Sequence, residues 1–421
     1  MTLELSEFDR SALSGKLGPA ARMSMSVIVR MGEMLRAEGL IDITQAHIDS
    51  TIYLGEAGLE FAERLAGHKA RVRVPTTLNV GAVDEHGWRE WAVPEDWAEK
   101  ARRQMLAYQS MGCVPTWTCA PYQTEHAPTF GQQIAWGESN AIVFANSVIG
   151  ARTERYPDLF DICAAITGRV PAVGLHLTEN RAGDVLLRLL DVSDSLQADD
   201  SFYPVLGHLL GKTAGDQIPV IDGLRVAPTE DQLKALGAAA ASSGSVALIH
   251  IVGVTPEAPT VQAAFQDRQP KRTIDVTLPQ LRAARRELTT ADGDELDLVV
   301  LGSPHFSLAE FRNLAPLLKG QRKHSRVEFL VTTSRAMAAL ARKEGLLEPF
   351  EAFGGRLTLD TCILASPMLP PAMRRLMTNS AKYAYYAPSL LKTQIVFGGT
   401  EDCVRSAIAG RVVRDESKWQ A

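Results

Sequence analysis

The recurrence of short, nearly continuous apolar runs constrains this chain most. Ser245–Val252 reads SVALIHIV, Leu296–Leu301 reads LDLVVL and Val327–Val331 reads VEFLV. Each is rich in β-formers and is followed by a polar or glycine-containing turn and a helical stretch. Strands that are apolar on both faces and alternate with helices belong to sheets covered on both sides. The expected class is therefore α/β. In such folds ligands gather at strand carboxyl ends, which directs attention to the turns 253–257, 302–305 and 332–335.

The first third reads differently. Met25, Val27, Val29, Met31, Met34 and Leu35 recur at helical spacing and predict a helix over 23–38, stopped by Gly39. A second helix is expected over 48–65, and Ala70–Pro75 alternates like a strand that ends at proline. No fixed-period repeat and no clear linker is evident. The chain is read as a single catalytic module over residues 1–421 with internal lobes.

Composition narrows the function classes. The 421 residues are 46% apolar and 22% charged, with a formal net charge of -5. Such mild acidity without a Lys/Arg stripe argues against a nucleic-acid surface. The short basic clusters at 282–286 and 319–323 read as solvated faces. No apolar run approaches the roughly 18 residues of a membrane span. The N-terminal stretch lacks a basic-then-apolar signal pattern, so a cytoplasmic location is expected. The five cysteines at 113, 119, 163, 362 and 403 are odd in number and scattered. That is not a disulfide frame.

The nucleotide-loop signatures GxxxxGKS/T and strand-linked GxGxxG are missing, as are HExxH, GxSxG and CxxC. Dense polar stretches stand out instead. Thr76, Thr77 and Asn79 follow a strand-like run, as self-capping turn residues or ligand contacts. Glu138–Ala141 and Asn146–Thr153 hold Ser139, Asn140, Asn146, Ser147 and Arg152, suited to capping or to binding a small polar acid. His176, Glu179 and Arg181 follow another strand-like run. Cys119, in VPTWTCAPYQ, and Cys362, in Asp360-Thr-Cys362, sit on loops or strand ends. Each is either a buried small residue or a metal-binding thiolate.

In order, Ser14–Arg22, VPTTLN, TCAPY, GESNAIVFANSVIGART, GRVPAVGLH, HIVGVTPEAP, DLVVLGSPHFS, DTC and Thr378–Tyr383 resemble the aconitase X family along nearly the whole chain. The ordered series carries the specificity, above all ESNA followed by NSVIGART.

The resemblance implies an aconitase-like catalytic module of several α/β lobes around a central cleft. It implies dehydration of a small hydroxy acid at an iron–sulfur centre: cis-3-hydroxy-L-proline in the bacterial branch, mevalonate 5-phosphate in the archaeal one. Cys119 and Cys362 match two ligand positions. Ser303 stands where many members have the third cysteine, which points to a 2Fe–2S centre or a single iron rather than 3Fe–4S or 4Fe–4S, with 2Fe–2S favoured. His305 and Cys113 are neighbouring candidates. Thr76, Thr77, Asn79, Ser139, Asn140, Asn146 and Ser147 are expected around the substrate, with Arg152 and Lys382 facing its carboxylate. The family's swivel domain has no room after residue 410, so a small partner subunit carrying the base is expected. A cluster-less binding or regulatory subunit is the alternative from another class.

Overall fold

The computed structural model of the chain describes residues 3–91 and 93–420. The first 180 residues hold β1 (Leu40–Asp42), β2 (Ala46–Ile48), β3 (Thr76–Leu78), β4 (Ala135–Trp136) and β5 (Arg169–Pro171). Strands β3, β2 and β4 form a small parallel sheet, and β1 pairs antiparallel with β5. Next come β6 (Val185–Leu189), β7 (Pro219–Asp222), β8 (His250–Ile251) and β9 (Arg272–Val276), in a parallel sheet of order β8-β7-β6-β9. The last region holds β10 (Leu298–Leu301), β11 (Glu328–Thr333), β12 (Arg356–Leu359), β13 (Arg375–Thr378) and β14 (Gln394–Phe397). Its order is β12-β11-β10-β13-β14, all parallel.

That last sheet shows why apolar runs dominate. Side chains alternate between the faces of a strand. Leu298 and Val300 point into the core shared with the first two regions. Val299 and Leu301 point into a separate core with Phe311, Phe329 and Phe350. Both faces are buried, so polar residues are excluded from both. The strand order also reverses between β10 and β13, the switch point where such sheets open a crevice.

Several local expectations shift. The helix expected over 23–38 spans Pro19–Met34. Pro19 suits a first helical turn because its missing N–H has no partner there anyway, and Arg36 then turns the chain at φ 57°. The helix expected over 48–65 is Glu56–Gly67. Ile48 is taken by the sheet, paired with Leu78, and after a short 3-10 turn over Asp49–Thr51 the α-helix begins only after Gly55. The strand expected over 70–75 begins at Thr76. Val72 N–H donates to Met111 (3.0 Å) and Arg73 N–H to Ala165 (2.8 Å), two different segments, so no ladder forms there. Of 245–252 only His250–Ile251 is strand.

The helix Glu230–Ser243 organises the molecule. Its buried run Ala238–Ala241 presents little side-chain bulk. The helices Ser139–Phe144 and Ala381–Leu390 both pack on it. Segments far apart in sequence therefore end side by side. No helix among the described residues is long and apolar enough to cross a membrane.

Candidate active site

A cavity of about 310 Å³ opens between the first and third regions, at the β10/β13 switch point. Of the residues singled out from sequence, it gathers Asn79, Cys119, Ser139, Ser303, His305, Cys362 and Lys382.

Cys119 is placed by the loop 114–121, which lies along β3. Val114 N–H donates to Thr76 (2.8 Å), and Thr116 Oγ1 donates to the Leu78 carbonyl (2.8 Å). Trp117 adopts a left-handed φ of 45°, a conformation costly for a bulky residue and common at functional turns. Asn140 Nδ2 donates to the Cys119 carbonyl (2.9 Å), and the His305 N–H donates to Cys119 Sγ (3.2 Å). Cys362 arrives on the turn after β12. There the Gly81 N–H donates to the Asp360 carbonyl (2.9 Å) and Thr361 Oγ1 donates to the Gly81 carbonyl (3.2 Å). Arg335 clamps the same junction, 3.1 Å from Asp84 and 2.7 Å from Asp360.

Ser303 follows Gly302, whose φ is 92°. A Cβ there would meet the Thr332 carbonyl oxygen at 2.2 Å, so only glycine fits this turn. Ser380, at the start of the helix Ala381–Leu390, donates its hydroxyl to the Ser303 carbonyl. The ends of β10 and β13 are thereby joined.

Lys382 donates to Glu138 at 2.5 Å, both largely buried. Glu138 also caps its own helix, accepting from Ala141 N–H (2.9 Å) and from Asn140. Burial opposes the Lys382 charge, but Glu138 and the two thiols outweigh it and hold the ammonium above the usual lysine range. Burial pushes the Cys119 thiol up to about 12, Glu138 adding to the rise and Lys382 opposing it. Cys362 is also raised by burial, with Lys382 and the Leu364 and Ala365 N–H groups working against it.

Asp49 and His305 complete the floor. Asn79 donates to Asp49 Oδ1. Burial, then Glu138, Asp158 and Asp161, pushes the Asp49 carboxyl well above its ordinary range. His305 is held neutral, its value lowered by burial to about 4. Its Nε2 lies 3.0 Å from the Thr361 carbonyl, so that nitrogen carries the hydrogen and the buried Nδ1 keeps a free lone pair.

The other predicted residues lie outside the cavity. Thr76 donates to the Val74 carbonyl (2.8 Å), and Thr77 meets His47 Nδ1 (2.8 Å). Asn140 holds the Cys119 loop. Asn146 donates to the Thr153 and Ala247 carbonyls (2.9 and 3.0 Å) and accepts from Arg181 (3.1 Å). Ser147 accepts from Ile249 N–H (2.8 Å), and Arg152 donates to the His176 carbonyl (3.2 Å). Asn146 and Ser147 tie the first region to the second, together with the Arg181–Glu257 pair, whereas Thr76, Thr77, Asn140 and Arg152 make contacts within the first region. Of the three turns flagged from sequence, 302–305 and 332–335 contribute to the cavity and 253–257 belongs to this junction. Cys113, Cys163 and Cys403 are buried in the apolar cores.

Asp49 is the functional candidate that the sequence reading passed over, and Glu138 was read there only as one of several groups of its stretch that bind or cap. Glu138 had a signal in the ESNA stretch, whereas Asp49 sits in an ordinary-looking run.

An iron centre can be tested against this donor set. Two free thiols from remote segments share the cavity with a cation facing both, the Ser303 hydroxyl and the His305 ring. Their chemistry suits a group held by two thiolates and completed by oxygen donors, although among the described residues no three or more His, Cys, Asp or Glu side chains are arranged to hold a metal ion. No third thiol lines the cavity among the described residues.

Parallel α/β sheets around a cleft with paired cysteines define an aconitase-like module. Residues 2–179 match the aconitase X first domain, 183–286 the second domain and 296–409 the third domain. The chain belongs to the aconitase X family. It is 50% identical over 418 residues to the cis-3-hydroxy-L-proline dehydratase of Pseudomonas aeruginosa, covering 99% of this chain and 72% of that protein. It is 46% identical over 414 residues to the enzyme of that name from Hypocrea jecorina, covering 97% and 69%. The phosphomevalonate dehydratase large subunit of Methanocaldococcus jannaschii is 35% identical over 405 residues, covering 95% and 99%. The crystal structure of Thermococcus kodakaraensis aconitase X, holo-form, superposes with a TM-score of 0.86 at 34% identity, covering 96% of this chain and all of that one. The curated relatives are named as dehydratases, that is, hydro-lyases.

Proposed function

We propose that this chain is the large catalytic subunit of a hydro-lyase that converts cis-3-hydroxy-L-proline to Δ1-pyrroline-2-carboxylate at an iron–sulfur centre. In that reaction C2 loses a proton, the C3–O bond breaks and water leaves. The resulting enamine tautomerises to the cyclic imine. The observation that carries the reading is the convergence of Cys119 and Cys362 on one cavity beside Lys382.

Cys119 and Cys362 would hold the centre as thiolates, with Ser303 at the third position. The two-thiol set favours a 2Fe–2S group. When bound, such a group supplies a Lewis-acid position for the departing hydroxyl. Lys382 faces both sulfurs and stabilises their ionised form, while Glu138 fixes the ammonium in place. Asn79 and Ser139 offer hydrogen bonds to the acid. The apolar wall from Ile363 to Ala365 narrows the access of water. The proton acceptor is assigned to a small swivel-type partner subunit that closes the cleft.

Identities of 50% and 46% to hydroxyproline dehydratases, against 35% to a phosphomevalonate dehydratase subunit, favour the amino acid substrate. The near-complete length match to that subunit keeps mevalonate 5-phosphate as the second substrate to assay. The decisive experiment is iron and sulfide counting with absorption spectroscopy on anaerobically purified protein. Cys119→Ala and Cys362→Ala are each expected to lose most of the bound iron. Unchanged iron in both variants refutes the ligand assignment.

A further inference from the structure

We propose that Asp49 receives the ammonium group of the substrate, so that the cavity selects a cyclic amino acid over a phosphorylated hydroxy acid. The inference rests on the dehydratase reading above and deepens it.

The charges around the cavity carry the argument. Its ionic side chains, apart from the thiols, are Asp49, Glu138 and Lys382, and no arginine lines it among the described residues. Lys382 is already paired with Glu138. One acidic side chain is left without a cation, and it is Asp49. A phosphate ester carrying a carboxylate as well would enter this cavity without a free cation to meet it. A zwitterionic amino acid brings the missing positive charge.

The local geometry holds Asp49 ready for that contact. Its backbone N–H donates to Asp161 Oδ2 (2.7 Å), and Ser50 donates to the same carboxylate (2.5 Å from its hydroxyl), which pins the turn. Asn79 occupies Asp49 Oδ1 and sets the plane of the carboxylate. Oδ2 has no partner among the described residues. The surrounding Glu138, Asp158 and Asp161 supply only negative charge, so the place lacks a counter-ion. In 3-hydroxyproline the nitrogen and the hydroxyl-bearing carbon both flank C2, the carbon that loses the proton. Fixing the nitrogen therefore orients the reacting bonds.

Calorimetric binding to the anaerobically purified full chain tests this, with cis-3-hydroxy-L-proline and 2-hydroxycyclopentane-1-carboxylate as ligands. The second replaces the ring nitrogen by carbon. Asp49→Asn is expected to weaken hydroxyproline binding at least about tenfold and leave the carbocycle unchanged. Asp49→Glu should restore part of the preference. The proposal is overturned if Asp49→Asn binds hydroxyproline as the wild type does. It is equally overturned if both variants lose both ligands alike, the mark of a structural role. An Asp49-dependent preference in a chain that, reconstituted with its small subunit, does not dehydrate hydroxyproline upholds the Asp49 assignment and refutes the dehydratase reading. Dehydration with an unaltered KM in Asp49→Asn refutes Asp49 alone.

Discussion

Two buried ionisable sites in this chain meet the cost of burying a charge in different ways, by pairing and by staying neutral. Lys382 and Glu138 are both largely buried, and neither is tolerable alone in that setting. His47 takes the other route and stays neutral. Burial lowers its value from 6.5 to about 3, and its Nδ1 sits 2.8 Å from Thr77 Oγ1. The folded value lies below the unfolded one, so the native state binds fewer protons. The stability linked to His47 is full above pH 6.5 and is lost as pH falls towards 3. His47→Gln keeps a polar group near Thr77 but cannot titrate. Its stability should fall less steeply than that of wild type over this window, by ~1.4 kcal/mol per pH unit. Urea titrations at several pH values measure the difference between the two slopes.

Strand ends, more than strand interiors, decide chemistry at the level of elements. Strands β10, β11, β12 and β13 end in Gly302-Ser303, Thr332-Thr333, Asp360-Thr361-Cys362 and Thr378-Asn379, and three of these four ends line the cavity. Gly302 makes the close passage of β10 past β11 possible. Gly302→Ala would drive a methyl into the Thr332 carbonyl and impose a disfavoured φ. It should destabilise the protein by more than ~1 kcal/mol and disturb the position of Ser303. Thermal denaturation reads the first effect and iron content the second. An alanine variant with wild-type melting and wild-type iron would show that this turn has slack.

For the whole molecule, the cavity exists only because the first and third regions are locked together. Arg335 bridges Asp84 of the first region and the nearly fully buried Asp360 of the third. Its exposure of 42% limits the worth of the bridge. Arg335→Met should still cost roughly 1–3 kcal/mol, because Asp360 is left without its charged partner. It should also lower iron retention although every proposed ligand is intact. Dialysis against a chelator compares the rate of iron loss in the two proteins. Equal rates would mean that the junction holds without the arginine.

The local pattern of the chain sufficed for the α/β class, for sheets buried on both faces and for the importance of the turns at 302 and 332. Each depends on neighbours within a few residues, where side-chain period and turn chemistry are legible. The ordered motifs likewise marked Cys119, Cys362 and Lys382. Helix and strand boundaries near 23, 48 and 70 were not legible, because pairing with distant segments overrode local spacing there. Nor was the split among polar residues. Asn79 and Ser139 reach the cavity, whereas Asn146 and Ser147 bind the junction of the first two regions and Arg152 binds within the first. A polar side chain carries no mark of which remote group will satisfy it. The meeting of Asp49, Glu138 and Lys382 was decided by tertiary structure alone, where the helices bearing Glu138 and Lys382 share one small-residue platform. Burial then paired Glu138 with Lys382 and left Asp49 with Asn79 but no charged partner.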